Sequence, residues 1–299
     1  MIHSEKANML IEIYMFVCDR FDKGLKNLCM RHGNNSNPRF TDEELFCGAC
    51  DKRLRVKDKH KFSKEYLSDW FPELPSYQTF NKRLNRLAGA LEELAKDILI
   101  SFKPAYVDDV NSLVDSMPII TCAGRNRQAK VAREVVDKGY CSTKNLYYYG
   151  VKLNQPAHRV KGTIPYSEMM SITPASENDG TVFKRDFADA LYNKNVFADK
   201  IYKDDEFYRE KANEQDLRLY IPCKAVKDEP LPIKQREQAY RDLYSLAVSA
   251  VRQPVESFFN WLNEKTSIQR AHYVRSTDGL VVHVMGSIAI AFTYLIFNC

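Results

Sequence analysis

The segment NSLVDSMPIITC, residues 111–122, constrains the fold of this 299-residue chain more tightly than any other. Val114, Met117, Ile119 and Ile120 describe a strand in a dry sheet, yet Asp115 and Ser116 stand among them. An ionised carboxylate is too costly to bury alone. The fold must therefore bring to Asp115 a cation, hydrogen-bond donors or an opening to solvent. A strand of this kind needs neighbours on both edges and a chemical reason for its acid.

The rest of the chain supplies the neighbours. Residues 1–100 read as helices. FTDEELFCGACDKRL opens with Thr41 as an N-cap and Glu44 as its capping-box partner, and FSKEYLSDWF starts similarly at Ser63. After the proline-punctuated PELPSYQTF, a helical pattern runs to SF at 101–102, with Lys82, Arg83 and Arg86 in its first half. A short helix, a Pro-bounded turn and a helix with a basic start are compatible with a DNA-binding module, and equally with a solvated helical cap. From about residue 105 the period changes. The segments 111–120, 144–154 and 157–174 read as three strands. GTVFKRDFADALYN then reads as a helix, NVFADKIY as a short strand ending at Asp199, DDEFYREKANEQD as a helix and LRLYIPCK as a strand. A long helix from about Ile233 to Lys265, broken or kinked at Pro254, leads to the apolar stretch 280–297. Early strands followed by alternating helix and strand predict an α/β sheet covered by helices, preceded by an all-α region. The expected domains are 1–103 and 104–299.

Charge and composition narrow the function only mildly. A net charge of +5 permits a polyanionic partner without demanding one. The eight cysteines are scattered, and MIHSEKANML lacks the apolar core of a signal peptide, so free thiols in a cytoplasmic setting are expected. Cys47 and Cys50 form a single Cys-x-x-Cys, read as two thiols on one helix face ahead of a metal site. The six histidines show no ligand spacing, which disfavours a zinc hydrolase. Residues 280–297 are long and apolar enough for a membrane span, but a helix buried in a core meets the same test. His283, Ser287 and Thr293 favour the second reading, so no membrane partner is expected.

Two further acids share the setting of Asp115. Asp199 lies between Phe197 and Ile201, and Glu256 between Val255 and Phe258. Each could be paired separately with Lys or Arg. As a set, three carboxylates from two strands and a helix suit Mg²⁺, or Mn²⁺ in its place. Such ions favour oxygen ligands and can serve in-line phosphoryl displacement. Cations for a phosphate backbone follow the first strand as Arg125, Arg127, Lys130 and Arg133, and a second group, Arg270 and Arg275, follows the long helix. Both could instead be solvated basic faces. Trp261 reads as core or as a stacking platform for an unpaired base.

VDSMPI, ADKIY and VRQPVESFF, in this order, resemble the three acidic motifs of bacterial insertion-sequence transposases of the DDE class. YLSDWFPELPSYQTFNKRLNRL resembles the segment that precedes the catalytic domain in one group of them, so the resemblance runs from about residue 40 to the end. It implies a ribonuclease H-like mixed sheet flanked by helices. It also implies catalytic, metal-ligating roles for Asp115, Asp199 (in an Asp-x-x-Tyr context with Tyr202) and Glu256, and DNA contacts from Arg252 and Lys265. The family pattern has a Tyr three before that Arg and a Lys seven after the Glu; Ser249 and Asn263 stand there instead. The implied activity is Mg²⁺-dependent hydrolysis at the ends of a mobile element, followed by joining of the 3′-hydroxyl ends to target DNA. The implied partners are double-stranded DNA, as terminal inverted repeats and target, and a second copy of the chain or more. Two alternatives are a catalytically inactive, transposase-derived DNA-binding protein and a tail-anchored membrane protein.

Overall fold

A computed structural model describes residues 2–31, 37–50, 68–101, 108–129, 131–142, 144–160, 162, 164–223 and 230–297. Lys130 and the helix start expected at Ser63 lie outside them. The chain forms two compact units, Met1–Phe102 with Leu262–Cys299, and Lys103–Trp261. This differs from the expected 104–299: residues 262–299 belong with the N-terminal helices and not with the sheet.

The helical unit contains α1 (Ile2–Asp22), a 3-10 turn (Leu25–Cys29), α2 (Asp42–Cys50), α3 (Tyr77–Arg86), α4 (Ala88–Ser101) and, from the far end of the chain, α8 (Thr277–Phe297). The capping box forms: Glu44 N–H donates to Thr41 Oγ1 at 3.2 Å and Thr41 N–H to Glu44 Oε2 at 2.6 Å. The helical pattern read through residues 77–101 breaks at Leu87, which divides α3 from α4. Leu91, Leu94, Ala95 and Ile98 give α4 a buried apolar face, and α8 packs on it. That pairing explains why 262–299 join this unit: α8 is apolar all round and must be enclosed on several sides. Its most apolar window has a mean hydropathy of 2.1 and is 67% buried. By length and composition it could cross a membrane, and a core helix passes the same test. Ile288 is fully buried, so Ile288→Ala is expected to lower unfolding stability by about 2–5 kcal/mol in urea titration. A change under 1 kcal/mol would contradict this packing.

The second unit is a mixed sheet in the order β2-β3-β1-β6-β7. Its strands are β1 (Asp108–Ala123), β2 (Asp137–Cys141), β3 (Leu146–Arg159), β4 (Tyr166–Ser167), β5 (Ser171–Pro174), β6 (Lys194–Phe197) and β7 (Leu217–Tyr220). The strand expected at 157–174 is not one element. Residues 157–159 extend β3, and β4 and β5 fold back to pair with it. Central β1 runs antiparallel to β3 and parallel to β6. Gly150 allows the close β1–β3 approach, since a Cβ there would lie 1.9 Å from the Ile119 carbonyl oxygen.

Helices α5 (Asp179–Asp186) and α6 (Asp205–Gln215) link the later strands, and α7 (Leu231–Thr266) follows, running through Pro254 without interruption. Alternation on β1 sends Val114 into a core with Val182, Phe183, Leu191, Val196, Tyr202 and Leu217. Asp115 therefore faces the opposite side, the side reached by α7. Lys194, buried on β6, is balanced by Glu168 at 3.0 Å, which also accepts from Ser112 Oγ at 2.7 Å.

Candidate active site

Asp115 finds its partner on α7. Arg252 Nη1 donates to Asp115 Oδ2 at 2.9 Å, and Arg252 Nη2 donates to Glu256 Oε1 at 2.6 Å. One guanidinium thus bridges two of the three expected acids, from residues 137 and 4 positions away in sequence. Helical spacing puts Arg252 and Glu256 on one face of α7, and the pleat puts Asp115 opposite them. The Asp115 and Arg252 side chains are mostly buried, at 24% and 19% exposure, whereas Glu256 is 53% exposed. The inner end of the bridge is therefore fixed and the outer end open to solvent.

The other side of the strand carries a second acid that the sequence reading missed. Asp115 Oδ1 accepts from the Ser116 backbone N–H at 2.9 Å, and Ser116 Oγ donates to Asp179 Oδ2 at 2.8 Å. Lys152 Nζ donates to Asp179 Oδ1 at 2.7 Å and to the Glu177 carbonyl at 2.7 Å. Asp179 is the first residue of α5, capped by Asn178, so in sequence it looks like an ordinary helix-start acid. Only the pairing of β1 with β3 reveals that Lys152 and Ser116 converge on it.

Asp199 sits elsewhere. It is exposed beyond the end of β6, and its Oδ1 accepts from the Lys200 N–H at 2.7 Å. The parallel register pairs Leu113 with Phe197, so Asp115 and Asp199 each lie two positions further along neighbouring strands. Among the described residues no three carboxylate, His or Cys side chains stand close enough to hold a metal ion together. The geometry therefore joins Asp115 and Glu256 and leaves Asp199, beyond the end of β6, outside the bridged pair. Tyr202 of the Asp-x-x-Tyr context is buried edge-on against Phe183, with ring centroids 6.0 Å apart.

The donor set still fits a hard cation in kind. It is all oxygen, it comes from rigid elements, and its acids already enclose a positive group, the guanidinium. Burial pushes the Asp115 carboxyl up to about 6; Arg252 and the Ser116 N–H oppose the rise, and Glu256 and Asp179 add to it. The native state then holds a proton that the unfolded chain releases, between about pH 4 and pH 6. Stability should fall as pH rises through that window, by roughly 3 kcal/mol, and stay at the lower level above it. Asp115→Asn is expected to remove this slope. Matching urea-unfolding profiles for both proteins from pH 4 to 7 would contradict that origin.

The expected DNA-contacting residues divide. Arg125, Arg127 and Arg133 are exposed after β1, and Arg133 Nε donates to the Ala129 carbonyl at 3.0 Å. Lys82 is exposed on α3 in the helical unit. Arg83 is not a free cation: it donates to the Phe40 carbonyl at 2.7 Å, the Thr41 carbonyl at 3.2 Å and Asp42 at 2.7 Å. These bonds tie the α2 start to α3. Lys265 lies over the Tyr294 ring at 5.0 Å, also within the helical unit. Arg252 spends its donors on the two acids. Trp261 is half-buried against Phe258, with ring centroids 5.8 Å apart. Cys47 and Cys50 are buried in α2, where Cys47 Sγ donates to the Leu10 carbonyl at 3.7 Å.

The chain matches no protein-family model, no curated protein and no solved structure.

Proposed function

We propose that this chain is a metal-dependent DNA transposase that cleaves the ends of a mobile element and joins their 3′-hydroxyls to target DNA. The observation that carries the reading is the meeting of Asp115 and Glu256 on one cationic group, from a central strand and a late helix. The sheet supports a ribonuclease H-like reading. Antiparallel strands β1 and β3 lie beside parallel β6 and β7, with the first acid on the central strand. Asp115 and Glu256 would hold the divalent cation, Mg²⁺ or Mn²⁺, and Asp199 is the third acid that the resemblance implies for it. When bound, the cation supplies charge stabilisation and an activated water for phosphodiester hydrolysis.

The chain's own residues position and neutralise. The Ser116 N–H and the sheet fix Asp115, Lys152 and Ser116 hold Asp179, and Arg125, Arg127 and Arg133 present exposed charge to a phosphate backbone. The reading carries no covalent protein–DNA intermediate: Ser116, the hydroxyl in the cluster, donates to Asp179 and serves to hold that acid. The DNA partner is a duplex carrying terminal inverted repeats, the active form is at least a dimer, and the setting is cytoplasmic.

A catalytically inert, transposase-derived DNA-binding protein is the second reading. It is favoured by Arg252 filling the space between the two acids. Incubation with a duplex made from the sequence flanking the gene separates the two. Mg²⁺- or Mn²⁺-dependent strand cleavage supports the transposase. Binding without cleavage in either metal supports the inert protein.

A further inference from the structure

Directly across from Asp115 on β3 stands Gln155. Its side chain is fully buried, and among the described residues neither its Oε1 nor its Nε2 has a hydrogen-bond partner. A buried amide with both atoms unpaired is costly, and cores usually replace such a residue with an apolar one of similar size. Cross-strand partners put their side chains on one face of the sheet with Cβ atoms about 5 Å apart, so Gln155 is within reach of Asp115. Two positions away on the same face of the strand, Leu153 and Ala157 are fully buried and apolar; on the opposite face Asn154 is buried too, but its Nδ2 donates to Thr173 Oγ1 at 2.9 Å.

Nothing in the packing explains this amide, whereas the chemistry of the adjoining acid does. Asp115 Oδ2 is engaged by Arg252. A divalent cation held by Asp115 and Glu256 would have to displace the guanidinium from both acids. The carboxylate then needs a second neighbour that orients it and does not compete as a cation. An amide has the required pair of functions: Nε2–H donates to a carboxylate oxygen, and Oε1 accepts from a water on the cation.

We infer that Gln155 is a positioning residue of the acidic site, an amide kept unpaired in the Arg252-bridged state in order to orient Asp115 and a cation-bound water once a divalent cation replaces the guanidinium. The inference rests on the metal-dependent reading of Asp115 and Glu256. It makes an unusual demand: removing the amide should strengthen the fold and weaken the site.

The test uses the full-length chain and Mn²⁺ as the probe. Gln155→Met, of similar shape without the polar atoms, is expected to unfold at a higher temperature than the parent and to bind Mn²⁺ about tenfold more weakly by electron paramagnetic resonance titration. Gln155→Asn, which keeps an amide on a shorter stem, should recover part of the affinity. A methionine variant that binds Mn²⁺ as tightly as the parent overturns the inference, and so does one that loses stability and affinity together. If the parent binds no Mn²⁺ and Asp115→Asn behaves identically, the metal-dependent reading fails first and takes this inference with it. If the parent binds and only the Gln155 variants are indifferent, the failure belongs to Gln155 alone.

Discussion

Asp115→Ala and Glu256→Ala are each expected to abolish Mg²⁺-dependent strand cleavage, a loss of at least about a thousandfold, while binding to a duplex of element-end sequence survives. The magnitude follows from what the proposed function asks of the acids. In metal-assisted phosphoryl transfer nearly all of the acceleration is positioning and charge neutralisation, and a missing ligand removes both. The two substitutions differ in their effect on the resting fold. Asp115 is the buried anchor of the bridge, and its removal leaves Arg252 short of its inner partner, whereas Glu256 is half-exposed and its loss is screened by solvent. Asp199→Ala should match them in activity with little effect on stability, because the Asp199 carboxylate is exposed and accepts from the Lys200 N–H of its own turn. Nicking assays with a parallel mobility-shift assay separate cleavage from binding. Cleavage retained by any one variant removes that residue from the site.

Arg252→Ala should produce an opposed pair of effects. Without the guanidinium, Asp115 is left beside Glu256 with no cation between them, and breaking a mostly buried pair in this way costs about 2–4 kcal/mol. The metal-free protein should therefore melt well below the parent. Added Mg²⁺ no longer competes with a tethered cation, so it should raise the melting temperature of the variant more than that of the parent. Thermal unfolding with and without 10 mM-scale Mg²⁺, on the order of ten times a typical weak site constant, measures both arms. If Mg²⁺ stabilises neither protein, the bridge is a plain ion pair and the acids are not a cation site.

Much of this arrangement was legible in the residues. The strand at Asp115, the capping box at Thr41, the segments of α5 and α6 and the short strands that flank them all follow from local pattern and turn chemistry. Glu256 stands out by its apolar setting and Arg252 only through the family resemblance; their meeting with Asp115 gives the acid in the dry strand its partner. What escaped was non-local. Asp179 reads as a helix-start acid, Lys152 as an alternating strand residue and Gln155 as nothing in particular; only the β1–β3 register joins them to Asp115. Arg83 escaped for the converse reason. A basic residue in the first half of the helical pattern after a Pro-bounded turn fits a DNA contact, but the nearby carbonyls of Phe40 and Thr41 accept from its guanidinium. The placement of residues 262–299 was likewise invisible to periodicity, which registers that α8 must be enclosed but not by what.

That last placement has a consequence during synthesis. The helical unit is assembled from the first hundred or so residues and from residues 262–299, which leave the ribosome after the whole sheet unit has been made. The apolar face of α4 thus waits uncovered until α8 arrives, a period of about ten seconds or more at ordinary rates of chain elongation. A ribosome that stops before residue 262 releases a complete sheet unit joined to an open, adhesive helical one. Truncated copies would be expected to aggregate, leaving any DNA-directed chemistry to chains that were finished.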